Sequence, residues 1–255
     1  MIKTSIQSTE MCLINEAVGQ EMLDRLAWMT IKPQRLLAIN CMPMILKLLQ
    51  KRYSETEFIS LYLTENFTPA IKNDHELISL DQFLALQSST IDLIFANLVL
   101  PWQADLQAQF MEWLRVLRPS GLMMFSALGP DTFDPWKTEI QTSEKIFLRD
   151  MHDIGDALLT TGFVDPVLDV DHFTLQYQQK NQLFEELIDA GLWQNYSGNR
   201  LNLKDIYSKM EVNEVDFEVI YGHAFVPSPK VARSENSHQI SVTSLREALQ
   251  KQREI

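Results

Sequence analysis

The sequence predicts an α/β fold: a doubly wound, mostly parallel sheet whose late strands run antiparallel at one edge. Three observations predict it. Short apolar runs recur without polar alternation, as strands buried on both faces require. Stretches with helical spacing separate them, the alternation that builds parallel βαβ units. Finally, a helix over 151–161 leads into long β runs, an order suited to antiparallel edge strands.

Residues 10–29 read as an amphipathic helix, because Met11, Ile14, Val18, Met22, Leu23 and Leu26 recur at helical spacing. Pro33 ends it. Residues 35–40 (RLLAIN) form a short buried strand. Pro43 starts a helix that runs to Arg52 with Ile45, Leu48 and Leu49 inward. Residues 57–63 (EFISLYL) give a second strand, and 77–80 a short third. Residues 91–96 (IDLIFA) are the clearest early strand.

A helix over 104–117 turns Leu106, Phe110, Trp113 and Leu114 inward. Arg118-Pro119-Ser120-Gly121 reads as a turn before the strand 122–128 (LMMFSAL). Gly129-Pro130-Asp131 ends that strand, and Asp131 is placed to cap a following helix. Gly162 closes the helix 151–161. Residues 164–177 hold one broken strand or two consecutive ones, and 216–226 (DFEVIYGHAFV) a long one. Residues 180–190 and 203–211 read as helical. The domain spans 1–227, with a small helical insertion at 178–212. A C-terminal tail, 228–255, contains Ser244 and Glu247 at capping-box spacing.

Composition narrows the function classes. With 255 residues and 45% hydrophobic content, the chain can bury a full core. A net charge of −12 argues against general nucleic-acid binding, which needs a basic footprint. Lys137, Lys145, Arg149, Arg115 and Arg118 read as solvated helix faces. No apolar run reaches the ~18 residues of a membrane span, and residues 1–10 lack a signal-peptide core. Cys12 and Cys41 form no metal spacing, nor do His152, His172 and His223. No nucleophile motif is present. These readings predict a cytoplasmic protein without a membrane, nucleic-acid or metal partner. Its oligomeric state and any catalytic side chain are not legible.

The segments 91–102 (IDLIFANLVLPW) and 113–132 (WLRVLRPSGLMMFSALGPDT) resemble class I S-adenosylmethionine (SAM) methyltransferases, whose fold is Rossmann-like. Asn97-Leu98-Val99-Leu100-Pro101-Trp102, FSALGPDT over 125–132, Met151-His152-Asp153-Ile154-Gly155-Asp156 with Gly162-Phe163, Tyr221-Gly222-His223-Ala224, and 240–246 are similar to the malonyl-acyl-carrier-protein O-methyltransferases of biotin synthesis. The resemblance implies SAM as cofactor and acyl carrier protein as partner. It implies methylation of the malonyl carboxyl, which masks a charge from fatty-acid synthesis.

The resemblance also locates a cofactor site, at Asn40, Met42, Met44, Tyr62, Asn97 and Leu98. Residues 36–44 (LLAINCMPM) stand where the family carries a glycine-rich loop after strand one. Ala38 replaces an acid there. Asn40, Met42 and Met44 replace glycines, and Gly19 is the only glycine ahead of Gly121. Asn tolerates positive φ, whereas Met42 and Met44 are expected to extend into the cofactor's position. Tyr62 falls near the ribose acid of strand two, and cannot accept two hydroxyl bonds as a carboxylate does. Asn97, past a strand end, is equally well explained as a turn residue, and Trp102 as core packing. Two functions follow: an O-methyltransferase with an unusual SAM loop, or a non-catalytic paralogue serving as a binding or regulatory module. Titration with SAM separates them.

Overall fold

The computed structural model describes residues 13–61, 77–78, 86–100, 105–133, 147–176 and 214–228. Within them the chain runs α1 (Leu13–Leu26), β1 (Arg35–Ile39), α2 (Pro43–Arg52), β2 (Glu57–Leu61), β3 (Leu77–Ile78) and β4 (Ile91–Ala96). It continues with α3 (Leu106–Val116), β5 (Leu117–Leu128), α4 (Met151–Thr161), β6 (Val164–Gln176) and β7 (Glu214–Phe225). Tyr62, Trp102, Lys137, Lys145, the insertion at 178–212 and the tail's capping box lie outside the described residues. So does any helix that Asp131 would cap.

The strands form one sheet in the order β3-β2-β1-β4-β5-β7-β6. The first five are parallel, whereas β7 runs antiparallel to both β5 and β6. The expected α/β architecture with antiparallel edge strands is therefore the observed one. Alternation along β1 divides the core between two faces. Leu36 and Ala38 join an apolar cluster with α1 and α2. Leu37 and Ile39 join another with Phe110, Trp113, Ile154 and Leu158 from α3 and α4.

Local chemistry sets the helix ends. The Asp105 side chain accepts from the Ala108 amide at 2.9 Å to cap α3. Asp150 accepts from the His152 amide at 2.7 Å to cap α4, and Gly162 terminates α4 in the left-handed region at φ 109°.

Two elements differ from expectation. Arg118–Gly121 is an irregularity within β5 rather than a turn before it, with a register shift between Ile91 and Leu93. Ser120 absorbs the bend at φ 64°. Its amide donates to the Val226 carbonyl, and the Val226 amide to that of Gly121, which keeps the chain in the sheet. Residues 164–176 form a single strand with one shift between Val164 and Val167, where Asp165 takes φ 51°.

Candidate functional site at the carboxyl ends of β1 and β4

Strand order reverses between β1 and β4. From β1 the chain proceeds outward to β2 and β3, then returns to β4 on β1's other side. Loops leaving β1 and β4 therefore diverge, and ligands of open α/β sheets bind at such a point. Register sets the tips side by side: Ile39 pairs with Leu61 and with Ala96, and Ala96 with Phe125.

Asn40 is the first residue past β1. It adopts φ 55°, the left-handed conformation that glycine supplies without strain and Asn tolerates. Its amide donates to the Leu61 carbonyl at 2.8 Å, and its side-chain Nδ2 to the Asn97 carbonyl at 2.9 Å.

Asn97, the first residue past β4, is completely buried. Its amide donates to the Ile39 carbonyl at 2.9 Å. Its Nδ2 donates to the Asn15 carbonyl at 2.7 Å, and its Oδ1 accepts from the Ser126 hydroxyl at 2.9 Å. The Leu98 amide donates to that hydroxyl at 2.9 Å while Leu98 holds φ 49°. One network thus joins the tips of β1, β2, β4 and β5 to α1.

Helix α1 reaches this network through Gly19. A Cβ at Gly19 would lie 2.8 Å from Ile45 Cγ1 and 3.3 Å from Asn97 Nδ2. The missing side chain lets the helix backbone settle against the start of α2 and against Asn97.

The two loop methionines diverge. Met42 precedes α2 and is buried in the cluster holding Ile14, Val18 and Ile45. Met44, inside the first turn of α2, is 51% exposed and is not a buried plug. Ala38 pairs with Ser60 and Phe95, and the buried Ser60 hydroxyl has no hydrogen-bond partner among the described residues. Between these residues, Cys41 is buried and its thiol donates to the Ile39 carbonyl at 3.5 Å. Burial pushes the Cys41 pKa far up, so the thiol stays protonated.

Charge collects elsewhere. The Arg25 guanidinium binds Asp169 at 2.9 Å, Asp171 at 2.8 Å and Glu21 at 2.9 Å. It also lies 3.9 Å from the centre of the Tyr221 ring, clamping α1 onto β6 and β7. Half-buried His223 meets Phe225 edge-on, and burial lowers its pKa. His152 Nδ1 contacts Asp150 at 2.6 Å on an exposed helix start, and His172 lies opposite Glu218 in the β6–β7 register. No described cluster of three or more His, Cys, Asp or Glu residues could hold a metal.

The polar groups of the strand-tip network are amides, carbonyls and the Ser126 hydroxyl bonded to one another, and none of them is an acid or base suited to proton transfer. Of the positions that the resemblance singles out, Asn40, Asn97 and Leu98 lie together at these strand tips. Sequence reading missed Asn15, Gly19 and Ser126. Ser126 did leave a signal, since it interrupts the apolar run LMMFSAL.

The Methyltransferase domain family model matches residues 25–125. The chain is 32% identical over 253 residues to the malonyl-acyl-carrier-protein O-methyltransferase of Methylovorus sp., covering 86% of this chain and 84% of that protein. It is 29% identical to malonyl-acyl-carrier-protein O-methyltransferase 1 of Coxiella burnetii, covering 90% and 87%. Among solved structures, phosphoethanolamine N-methyltransferase 2 of Haemonchus contortus with S-adenosyl-L-methionine superposes with a TM-score of 0.54 at 14% identity, covering 82% of this chain and 52% of that one. A SAM-dependent methyltransferase from Archaeoglobus fulgidus gives 0.50 at 11% identity, covering 82% and 94%.

Proposed function

Because the chain belongs to the malonyl-acyl-carrier-protein O-methyltransferase family of class I methyltransferases, we propose that it methylates the free carboxyl of a malonyl group on acyl carrier protein. The product is a methyl ester, formed for biotin synthesis in the cytoplasm. The sequence match along most of the chain carries this reading. The relatives named above favour it over a non-catalytic binding module.

S-adenosylmethionine is the cofactor, and when bound it supplies a methyl group on an electrophilic sulfonium. The strand tips fit its amino-acid end in backbone shape and in acceptor chemistry. Asn40 makes the left-handed turn without glycine, and the Asn97 carbonyl is an acceptor at the crevice. Asn97 and Leu98 would hold that end, with Asn40 forming the turn beside them, Met42 and Met44 on the same loop and Tyr62 beyond β2. Ala38 offers no carboxylate, so neutral groups make the contacts.

The malonyl carboxylate is already an ionised nucleophile at neutral pH. The protein's contribution is therefore to fix the carboxylate in line and keep water out, which needs no general base. The rigid Asn97–Ser126–Leu98 network serves that end by holding the β4 loop in one geometry.

The reading is tested by rescue. Expressed in a bacterium lacking its own malonyl-acyl-carrier-protein methyltransferase, the chain should restore growth without added biotin. Full-level expression without growth would refute it.

A further inference from the structure

We propose that the Asn40 carboxamide is a built-in occupant of the cofactor crevice, which the ligand must displace from the Asn97 carbonyl in order to bind. The inference rests on the reading above for the identity of that ligand, S-adenosylmethionine, whose ammonium is a hydrogen-bond donor.

Three carbonyls at the strand tips matter. The Leu61 carbonyl is taken by the Asn40 amide and the Ile39 carbonyl by the Asn97 amide. Each is held by a main-chain donor, the Ile39 carbonyl by the Cys41 thiol as well, and withdrawing the main-chain donors would break the sheet. The Asn97 carbonyl differs, because its donor is a side chain, Asn40 Nδ2, at 2.9 Å. Rotation about the Asn40 side-chain bonds frees that carbonyl and leaves the backbone in place.

The turn itself does not call for this side chain. At φ 55° glycine would serve without strain, so the carboxamide serves the buried Asn97 carbonyl rather than the turn. Asn40 is also 9% exposed, so its polar end sits inside the protein. There it supplies the donor that an incoming ammonium would otherwise supply. The Asn97 side chain cannot take over, since it is engaged by Asn15 and Ser126. Asn40 thereby sets affinity: the ligand exchanges one hydrogen bond for another instead of gaining one.

The test is calorimetric titration of the full chain with S-adenosylmethionine and with S-adenosylhomocysteine. Asn40→Gly keeps the left-handed turn and deletes the donor. Asn40→Ala deletes the donor without adding a charge. Both variants should bind each ligand about tenfold more tightly than the parent, the worth of one neutral hydrogen bond. Should Asn40→Gly lose its melting transition, Asn40→Ala alone decides on the same criterion. Dissociation constants equal to or weaker than the parent's overturn the proposal, as does absence of binding by all three proteins. Tighter binding by variants of a chain that fails the growth rescue would leave this proposal standing and remove the functional reading.

Discussion

The Asn97 side chain donates to the Asn15 carbonyl at 2.7 Å, joining the loop after β4 to a helix 82 residues earlier. The same carboxamide accepts from Ser126 on the next strand. Asn97→Leu removes both bonds and leaves the buried Ser126 hydroxyl without its acceptor. The expected loss is about 2–4 kcal/mol, read from the midpoint of urea unfolding. A loss below ~0.5 kcal/mol would show that the network does not hold the tips together.

Gly222 lies opposite Phe125 in the β5–β7 register, and a Cβ there would overlap the Phe125 ring. Gly222→Ala should therefore destabilise the protein by about 3 kcal/mol. Adding Phe125→Leu should recover part of that loss, giving a coupled double-mutant cycle. Simple additivity would mean that the ring moves aside freely.

Arg25 gathers Asp169, Asp171 and Glu21 while lying over Tyr221. Arg25→Lys keeps the charge and loses the fork and the flat contact. It should lower stability by about 1–2 kcal/mol. Since these groups are partly exposed, the parent's advantage should shrink in high salt. Equal melting temperatures for both proteins at low salt would contradict the clamp.

Burial holds the His223 pKa below its ordinary 6.5. The unfolded chain then binds the proton more readily than the folded one. The neutral-histidine contribution is present above about pH 6.5 and is lost as pH falls through the lower folded value. His223→Gln should lose less stability than the parent between about pH 7.5 and pH 5.5. Parallel pH profiles would place His223 outside this linkage.

Much of the scaffold is legible in residue order, for physical reasons. Strands such as β4 (IDLIFA) are buried on both faces and so read as continuous apolar runs. Gly162 closes α4 where only positive φ serves. The irregularity at Arg118–Gly121 reads as a turn, because Pro, Ser and Gly mark a bend but not whether the chain leaves the sheet. At the site, the loss of glycines is visible in sequence, whereas its consequence is not. Asn40 and Asn97 are both polar residues past strands, and only tertiary placement shows one carboxamide bonded to the other's backbone. Arg25 and Asp169 stand 144 residues apart and follow no local pattern.

The most direct measurement follows labelled methyl groups from S-adenosylmethionine into acyl carrier protein charged with malonyl or with acetyl. Malonyl-acyl carrier protein should gain label that alkali releases as methanol, as a methyl ester requires. The acetyl form has no free carboxyl and should gain none. Absence of label on the malonyl form above an enzyme-free control would contradict the assignment of this chain as a malonyl-acyl-carrier-protein O-methyltransferase.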